Sequence, residues 1–185
     1  MTTVFTTMES PLGRLLLSGV LDGDGPAALA TVTAPGQKGA LAEPADDWIH
    51  DPEPLAPAID QLTAYFAGEL TAFDLRLAPV GTEFRHRIWN ALDDIPYGTT
   101  VTYGELARAA GQSPRAVRAV GGAVGANPLL VVRPCHRVMG ANGTLTGFAA
   151  GVDSKRRLLE LEGGLPEAGS TAREVRRGAP APTLF

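Results

Sequence analysis

The sequence predicts an α+β fold, a small α/β unit of short strands and one helix followed by a mainly helical region. Three observations predict it. Short strand-like segments parted by turn residues fill the first 33 positions. Apolar residues then recur at helical spacing in several separate windows. A helix-capping box and a Ser-Pro helix start lie close together in the second half. With 185 residues, 44% of them hydrophobic and 19% charged, the chain is long and apolar enough for one large core or two small ones.

Each element follows in order. Val4 to Glu9, Arg14 to Gly19 and Ala27 to Thr33 read as strands, with turns at Ser10-Pro11-Leu12-Gly13 and Asp22-Gly23-Asp24-Gly25. Residues 34–57, rich in Pro, Gly, Ala and Asp, read as a long irregular loop. Ile59, Leu62, Tyr65 and Phe66 mark a helix that ends near Gly68. From Ala72 to Val80, Phe73, Leu75 and Leu77 alternate with Asp74 and Arg76, the pattern of a half-buried strand. Thr82 can cap a helix whose apolar face is Phe84, Ile88, Trp89 and Leu92, ended by Pro96-Tyr97-Gly98.

Thr102-Tyr103-Gly104-Glu105 has the capping-box spacing and opens a short helix that stops at Gly111. Ser113 then caps a second helix with Pro114 at its first position. Two helices joined by a tight glycine-containing turn outline a helix-turn-helix. At 100° per residue, Val117, Val120 and Val124 fall on one face, and Arg115, Arg118 and Gly122, with Ala119 beside them, on the other. That second face is small and basic, suited to close approach to a nucleic-acid backbone. After the Asn127-Pro128 break, Leu129 to Val132 reads as a buried strand. The chain turns through Gly140 to Gly143, and a last helix runs from a cap at Asp153 to Glu162, ended by Gly163-Gly164. The expected organisation is an α/β domain at 1–80, a second domain at 81–163 and a mobile tail at 164–185.

Composition excludes several classes. No charge-free stretch, such as those between Asp24 and Lys38 and between Arg118 and Arg133, is long enough to span a bilayer. The N-terminus lacks the basic and apolar regions of a secretory signal. A single cysteine makes no internal disulfide, which agrees with a cytoplasmic location. Cys135, His50, His86 and His136 lack the paired spacing of a structural zinc site, so neither a metal nor a cofactor is expected. Gly23-Asp24-Gly25 and Gly121-Gly122 are too short for a dinucleotide fingerprint. Charge is uneven: net −8 over residues 1–80 and net +4 over 81–160. An acidic half beside a basic one leaves nucleic-acid binding open, because binding follows the local field.

The chemistry concentrates at Cys135. It follows an apolar run and a proline, and His136 and Arg137 come directly after it. Positive neighbours favour the thiolate, the reactive form. On an extended chain adjacent side chains point apart, so a Cys135–His136 contact needs a turn or a bridging water.

Pro134-Cys135-His136-Arg137-Val138 resembles the active-site signature of the O6-alkylguanine-DNA alkyltransferases. Ile95-Pro96-Tyr97-Gly98, Thr102 to Ala107, Arg118 to Ala123, Asn127-Pro128 and Leu158 to Gly163 match in order and spacing, so the resemblance covers residues 81–163 and, more loosely, the first part. It implies a ribonuclease-H-like N-terminal unit followed by a helical domain with a helix-turn-helix and an active-site loop. It implies single-turnover transfer of an alkyl group from guanine O6, with O4-alkylthymine a second candidate substrate, to the sulfur of Cys135. His136 would be the base, acting through water, with Glu162 orienting it. Tyr103 would donate at O6. Asn127 would brace the turn before the active-site segment. The base would first flip out of duplex DNA. Arg118 would fill the gap, with Arg115, Ala119 and Gly122 on the same DNA-facing surface. Tyr103, Thr146, Gly147, Phe148 and Ala149 would line the base pocket. The expected partner is double-stranded DNA carrying alkylated bases, bound by a monomer, with no membrane. Two positions depart from the pattern: Phe148 stands where many members have tyrosine, and Arg133 where an apolar residue is usual.

Overall fold

The computed structural model describes residues 1–23, 25–40 and 43–165. The expected tail falls largely on residues 166–185, outside the described residues. Strands β1 (Thr2–Met8), β2 (Leu15–Leu21) and β3 (Ala28–Thr33) form an antiparallel meander, and β4 (Ile49–His50) adds in parallel beside β1, giving the order β3-β2-β1-β4. Leu15, Leu17, Leu29 and Val32 turn inward, and helix α1 (Ala56–Phe66) covers them with Ala58, Leu62 and Tyr65, one residue per turn of its buried stripe.

The free edge of β3 is divided between two segments. Leu29 exchanges backbone hydrogen bonds with Arg76 and Ala78, both 2.8 Å. Val32 donates to the carbonyl of Pro128 (2.8 Å) and accepts from the amide of Leu130 (3.0 Å). This sharing explains two departures from expectation. Residues 72–80 form no regular strand, only a single bridge from Leu77 to Leu29. Leu129 to Val132 is not a strand either. Leu129 bridges to Val32, and the chain then doubles back, with the amide of Arg133 donating to Leu129 O at 2.9 Å. At that turn Val131 adopts φ 72°, a left-handed conformation that costs a β-branched residue ~1–3 kcal/mol. All four apolar residues are buried because this loop is enclosed, not because it is a central strand.

Helix α2 (Glu83–Asp93) starts as expected, with Thr82 Oγ1 accepting from the Arg85 amide at 3.3 Å. It ends at Asp93, and Pro96-Tyr97-Gly98 forms the turn beyond. Strand β5 (Val101–Thr102) pairs in parallel with β6 (Val138–Met139). Helix α3 (Tyr103–Ala109) carries the complete capping box: Thr102 Oγ1 accepts from the Glu105 amide, and the Glu105 carboxylate accepts from the Thr102 amide at 2.8 Å.

Ser113 caps a 3-10 turn at Pro114–Ala116, and that turn leads into α4 (Val117–Gly125). The buried stripe of α4 narrows to Val120, Ala123 and Val124, while Val117 in the opening turn is exposed. Trp89 Nε1 donates to Ala123 O at 2.9 Å and ties α4 to α2. Helix α5 (Val152–Leu161) starts two residues earlier than expected. Gly151, at φ 89°, occupies the cap position, and Asp153 lies in the first turn, where a carboxylate is stabilised by the positive end of the helix dipole. One buried cluster runs from Val4 and Leu17 through Leu62 to Trp89, Val120 and Leu158, so the sheet and the helical half share a core. Among the described residues no helix is long and apolar enough to cross a membrane.

Thr102→Ala removes the hydroxyl of the capping box, which leaves the Glu105 amide without its side-chain partner. A stability loss of about 1 kcal/mol is expected in urea denaturation; an unchanged midpoint would mean that the box contributes nothing to α3.

Candidate active site

Cys135, His136 and Arg137 form a 3-10 turn between the enclosed loop and β6. The turn replaces the extended geometry that the sequence suggests, and all three side chains are buried. His136 is 0% exposed, and its Nε2 lies 2.7 Å from Glu162 Oε1. An ionised carboxylate only accepts, so Nε2 carries the proton and Nδ1 keeps its lone pair. Nδ1 is buried with no hydrogen-bond partner among the described residues. Burial holds the His136 pKa below the usual histidine value, against the opposing pull of Glu162. The ring is therefore neutral near pH 7, with a basic nitrogen to spare.

Glu162 caps the C-terminus of α5, where a negative charge meets the unfavourable end of the helix dipole. Its donors explain why it is tolerated. Arg137 grips both oxygens, Nε to Oε2 at 2.8 Å and Nη2 to Oε1 at 2.9 Å. Tyr65 Oη donates to Oε1 at 2.7 Å, and the Gly98 amide approaches Oε2 at 3.4 Å. Gly98 has φ 72°, and a Cβ there would lie 2.9 Å from the carbonyl of Glu162, so only glycine allows this approach. Burial pushes the carboxyl up, but His136, Arg137 and Tyr65 outweigh it and hold the pKa at about 2.

Cys135 is 4% exposed. Its Sγ lies 3.1 Å from Asn127 Nδ2, and that amide group also reaches the carbonyls of Leu129 (3.2 Å) and Arg133 (3.1 Å). Asn127 Oδ1 accepts from the Leu129 amide at 3.1 Å. One asparagine thus pins both limbs of the enclosed loop and touches the sulfur. Burial raises the thiol pKa above its ordinary value, and the Asn127 hydrogen bond and the Lys155 charge only partly counter it. This corrects the expectation that cationic neighbours leave a resting thiolate: desolvation wins.

Lys155 escaped the sequence reading. It is 0% exposed, and its ammonium donates to the carbonyls of Val138 and Thr146. Burial depresses its pKa to about 8, and the Cys135 sulfur pulls the other way. A signal was present. Lys155, Leu158, Leu159 and Glu162 stand at i, i+3, i+4 and i+7, so the lysine falls on the apolar stripe of α5. Arg133 does not serve the thiol. It pairs through Nε with both oxygens of Asp93 at 3.2 Å, and its guanidinium lies 5.7 Å from the Trp89 ring centre.

Tyr103 opens α3, and its hydroxyl approaches Gly147 O at 3.4 Å. Burial and the charge of Cys135 both raise its phenol pKa, so it remains a donor. The structure brings Tyr103 and Gly147 together. Thr146 is anchored by Lys155, Phe148 packs partly on the core, and Ala149 O accepts from the Lys38 amide at 3.2 Å. A cleft of about 350 Å³ adjoins the same turn through Pro134 and Arg137, but Cys135 does not line it. Arg115, Arg118, Ala119 and Gly122 are all exposed, and a Cβ on Gly122 would meet nothing within 4 Å. Among the described residues no group of acidic, cysteine and histidine side chains could hold a metal.

Both halves of the chain match one family. Residues 3–79 match the 6-O-methylguanine DNA methyltransferase ribonuclease-like domain, and residues 83–164 match the DNA binding domain of the same family. A methylated-DNA–protein-cysteine methyltransferase of Methanosarcina acetivorans is 50% identical over 159 residues, 86% of this chain and 97% of the relative. The Mycobacterium bovis protein of the same name is 47% identical over 85% of this chain and 91% of its own. The crystal structure of Mycobacterium tuberculosis OGT in complex with DNA superposes with a TM-score of 0.76 at 47% identity, over 86% of this chain and 92% of that one. Matched in both halves, and spanning such relatives nearly end to end, the chain belongs to the 6-O-methylguanine DNA methyltransferase family.

Proposed function

We infer that this protein reverses alkylation damage directly, moving the alkyl group of O6-alkylguanine in duplex DNA onto Cys135. The observation that carries the reading is a neutral His136, held by Glu162 through Nε2 with Nδ1 unengaged, on the turn that bears the chain's single cysteine. Relatives named methylated-DNA–protein-cysteine methyltransferases and a neighbour solved with DNA support the same reading.

The chemistry follows from the site. The resting thiol is protonated because it is buried, so a base has to act with substrate in place. His136 Nδ1 takes the proton through water, and Asn127 and Lys155 stabilise the sulfur anion as it forms. The sulfur attacks the alkyl carbon in line, and the carbon–O6 bond breaks with its electron pair going to the base. Tyr103 donates a hydrogen bond at O6, and the proton lost by sulfur ends on guanine. The thioether has no acidic proton and no leaving group, so each chain acts once.

Access depends on flipping, since a stacked base cannot present its O6 substituent to a nearly buried sulfur. The α3–α4 pair acts as a helix-turn-helix in this reading, with α4 as the DNA-facing helix. Arg118 enters the vacated stack, Arg115 contacts backbone, and Ala119 and Gly122 allow close approach. Thr146, Gly147, Phe148 and Ala149 with Tyr103 form the wall of the base pocket. The protein acts as a monomer in the cytoplasm, residues 1–80 and 81–163 forming its two domains.

With duplex DNA carrying labelled O6-methylguanine, one methyl per chain is expected on Cys135, and none in Cys135→Ala; turnover beyond one equivalent would end the reading. Arg118→Ala is expected to slow repair of duplex DNA by roughly tenfold or more while sparing reaction with the free modified base, about the cost of losing one charged contact. Equal losses on both substrates would remove Arg118 from flipping. Lys155→Met is expected to slow iodoacetamide alkylation of Cys135 at pH 7 roughly tenfold, the factor that about 1.4 kcal/mol of lost charge stabilisation carries. Because the Lys155 pKa is about 8, the difference from the parent protein shrinks as pH rises past that value and the ammonium discharges. A rate ratio that stays constant from pH 6 to pH 10 would contradict the charge argument.

A further inference from the structure

We propose that Tyr65, on α1 of the ribonuclease-like half, is a positioning residue for alkyl transfer: its hydroxyl, 2.7 Å from Glu162 Oε1, sets where that carboxylate sits and how strongly it polarises His136. The inference rests on the reading of His136 as the base. It gives the first half of the chain a part in the chemistry, across 97 positions of sequence.

The geometry is specific. Tyr65 is 0% exposed and wedged among the rings of Phe66, Phe73 and Tyr97, with centroid distances of 5.5, 5.4 and 6.2 Å. Packing alone needs only the ring. The hydroxyl lands on the same oxygen that His136 Nε2 uses, also at 2.7 Å. Burial, and then the Glu162 charge, raise the phenol far above its ordinary pKa, so it donates and never competes as an anion. A donor on Oε1 draws off part of the negative charge that would otherwise favour the imidazolium. Tyr65 thereby helps keep His136 neutral and basic while fixing the carboxylate plane.

The other groups facing this pair come from every neighbouring element. Arg137 and Cys135 lie on the same 3-10 turn, Lys155 on α5, and Tyr97 on the turn after α2. Arg137 and Lys155 lower the His136 pKa, in the same direction as Tyr65, but Arg137 binds both carboxylate oxygens and Lys155 binds carbonyls. Tyr65 is the neutral donor that shares one oxygen with the base.

The test is the pH dependence of single-turnover methyl transfer from O6-methylguanine duplex DNA, measured with the full chain. In Tyr65→Phe the acid limb moves to higher pH, because Glu162 then holds the imidazolium more tightly, and the rate at pH 7 falls roughly tenfold, as expected for one hydrogen bond to a charged group. A chain with 3-fluorotyrosine at position 65 keeps the ring and is a stronger donor, so its acid limb moves to lower pH. The fluorinated chain also decides the matter if Tyr65→Phe does not fold. Profiles of both variants that superimpose on the parent profile, whatever their melting temperatures, would overturn the proposal and leave Tyr65 a packing residue. Persistence of the acid limb in His136→Ala would overturn the reading beneath it, and the proposal with it.

Discussion

A carboxylate withdrawn from water has to collect its donors from wherever the fold can bring them. Glu162 draws on four segments: His136 and Arg137 from the 3-10 turn, Tyr65 from α1, Gly98 from the turn after α2, and its own place at the end of α5. None of these is close in sequence except the first two. The ion pair with Arg137 is buried, and a pair of that kind adds little net stability unless its remaining valences are met. Here they are met, and the arrangement fixes the histidine tautomer. The fold's long-range packing is thus inseparable from the state of one imidazole.

The sulfur lives under the opposite constraint. Its surroundings are dry, and burial raises the cost of ionising it. What lowers that cost is local: the Asn127 amide and a lysine facing inward from α5. The loop that carries the cysteine includes a valine at positive φ, a conformation that survives only when its surroundings over-determine it. They do so here. Val32 of β3 bonds Pro128 and Leu130, and Asn127 spans the same loop from within. The sheet is therefore a mould for the reactive segment as well as a packing partner.

Much of this was legible in the sequence because the signals were local. The meander, α1, the capping box at Thr102 and the exposed basic face of α4 all follow from spacing and cap chemistry. Ala72 to Val80 alternates and Leu129 to Val132 is apolar throughout, and both patterns suit ladder pairing, whereas the two segments divide one edge of β3 between them. The Cys135, His136 and Glu162 trio came from resemblance, and no local pattern ties 136 to 162. Lys155 stood on an apolar stripe and could have been found. The Tyr65 hydroxyl could not, because its position in α1 reads equally well as packing and its partner lies in the last helix. Arg133 shows the reverse: it lies two positions before Cys135, and its side chain turns to Asp93 and Trp89.

Glu162 sits at the very end of a ten-residue helix, and helix ends are the first parts of a fold to fray. Release of that last turn would withdraw the carboxylate from His136, Tyr65 and Gly98 at once, with the sheet and the other helices untouched. The amides of Glu162 and Gly163 bond to the carbonyls of Leu158 and Glu160. In this design the last turn of α5 is held from outside the helix, by the partners of the Glu162 carboxylate, as well as by its own backbone bonds.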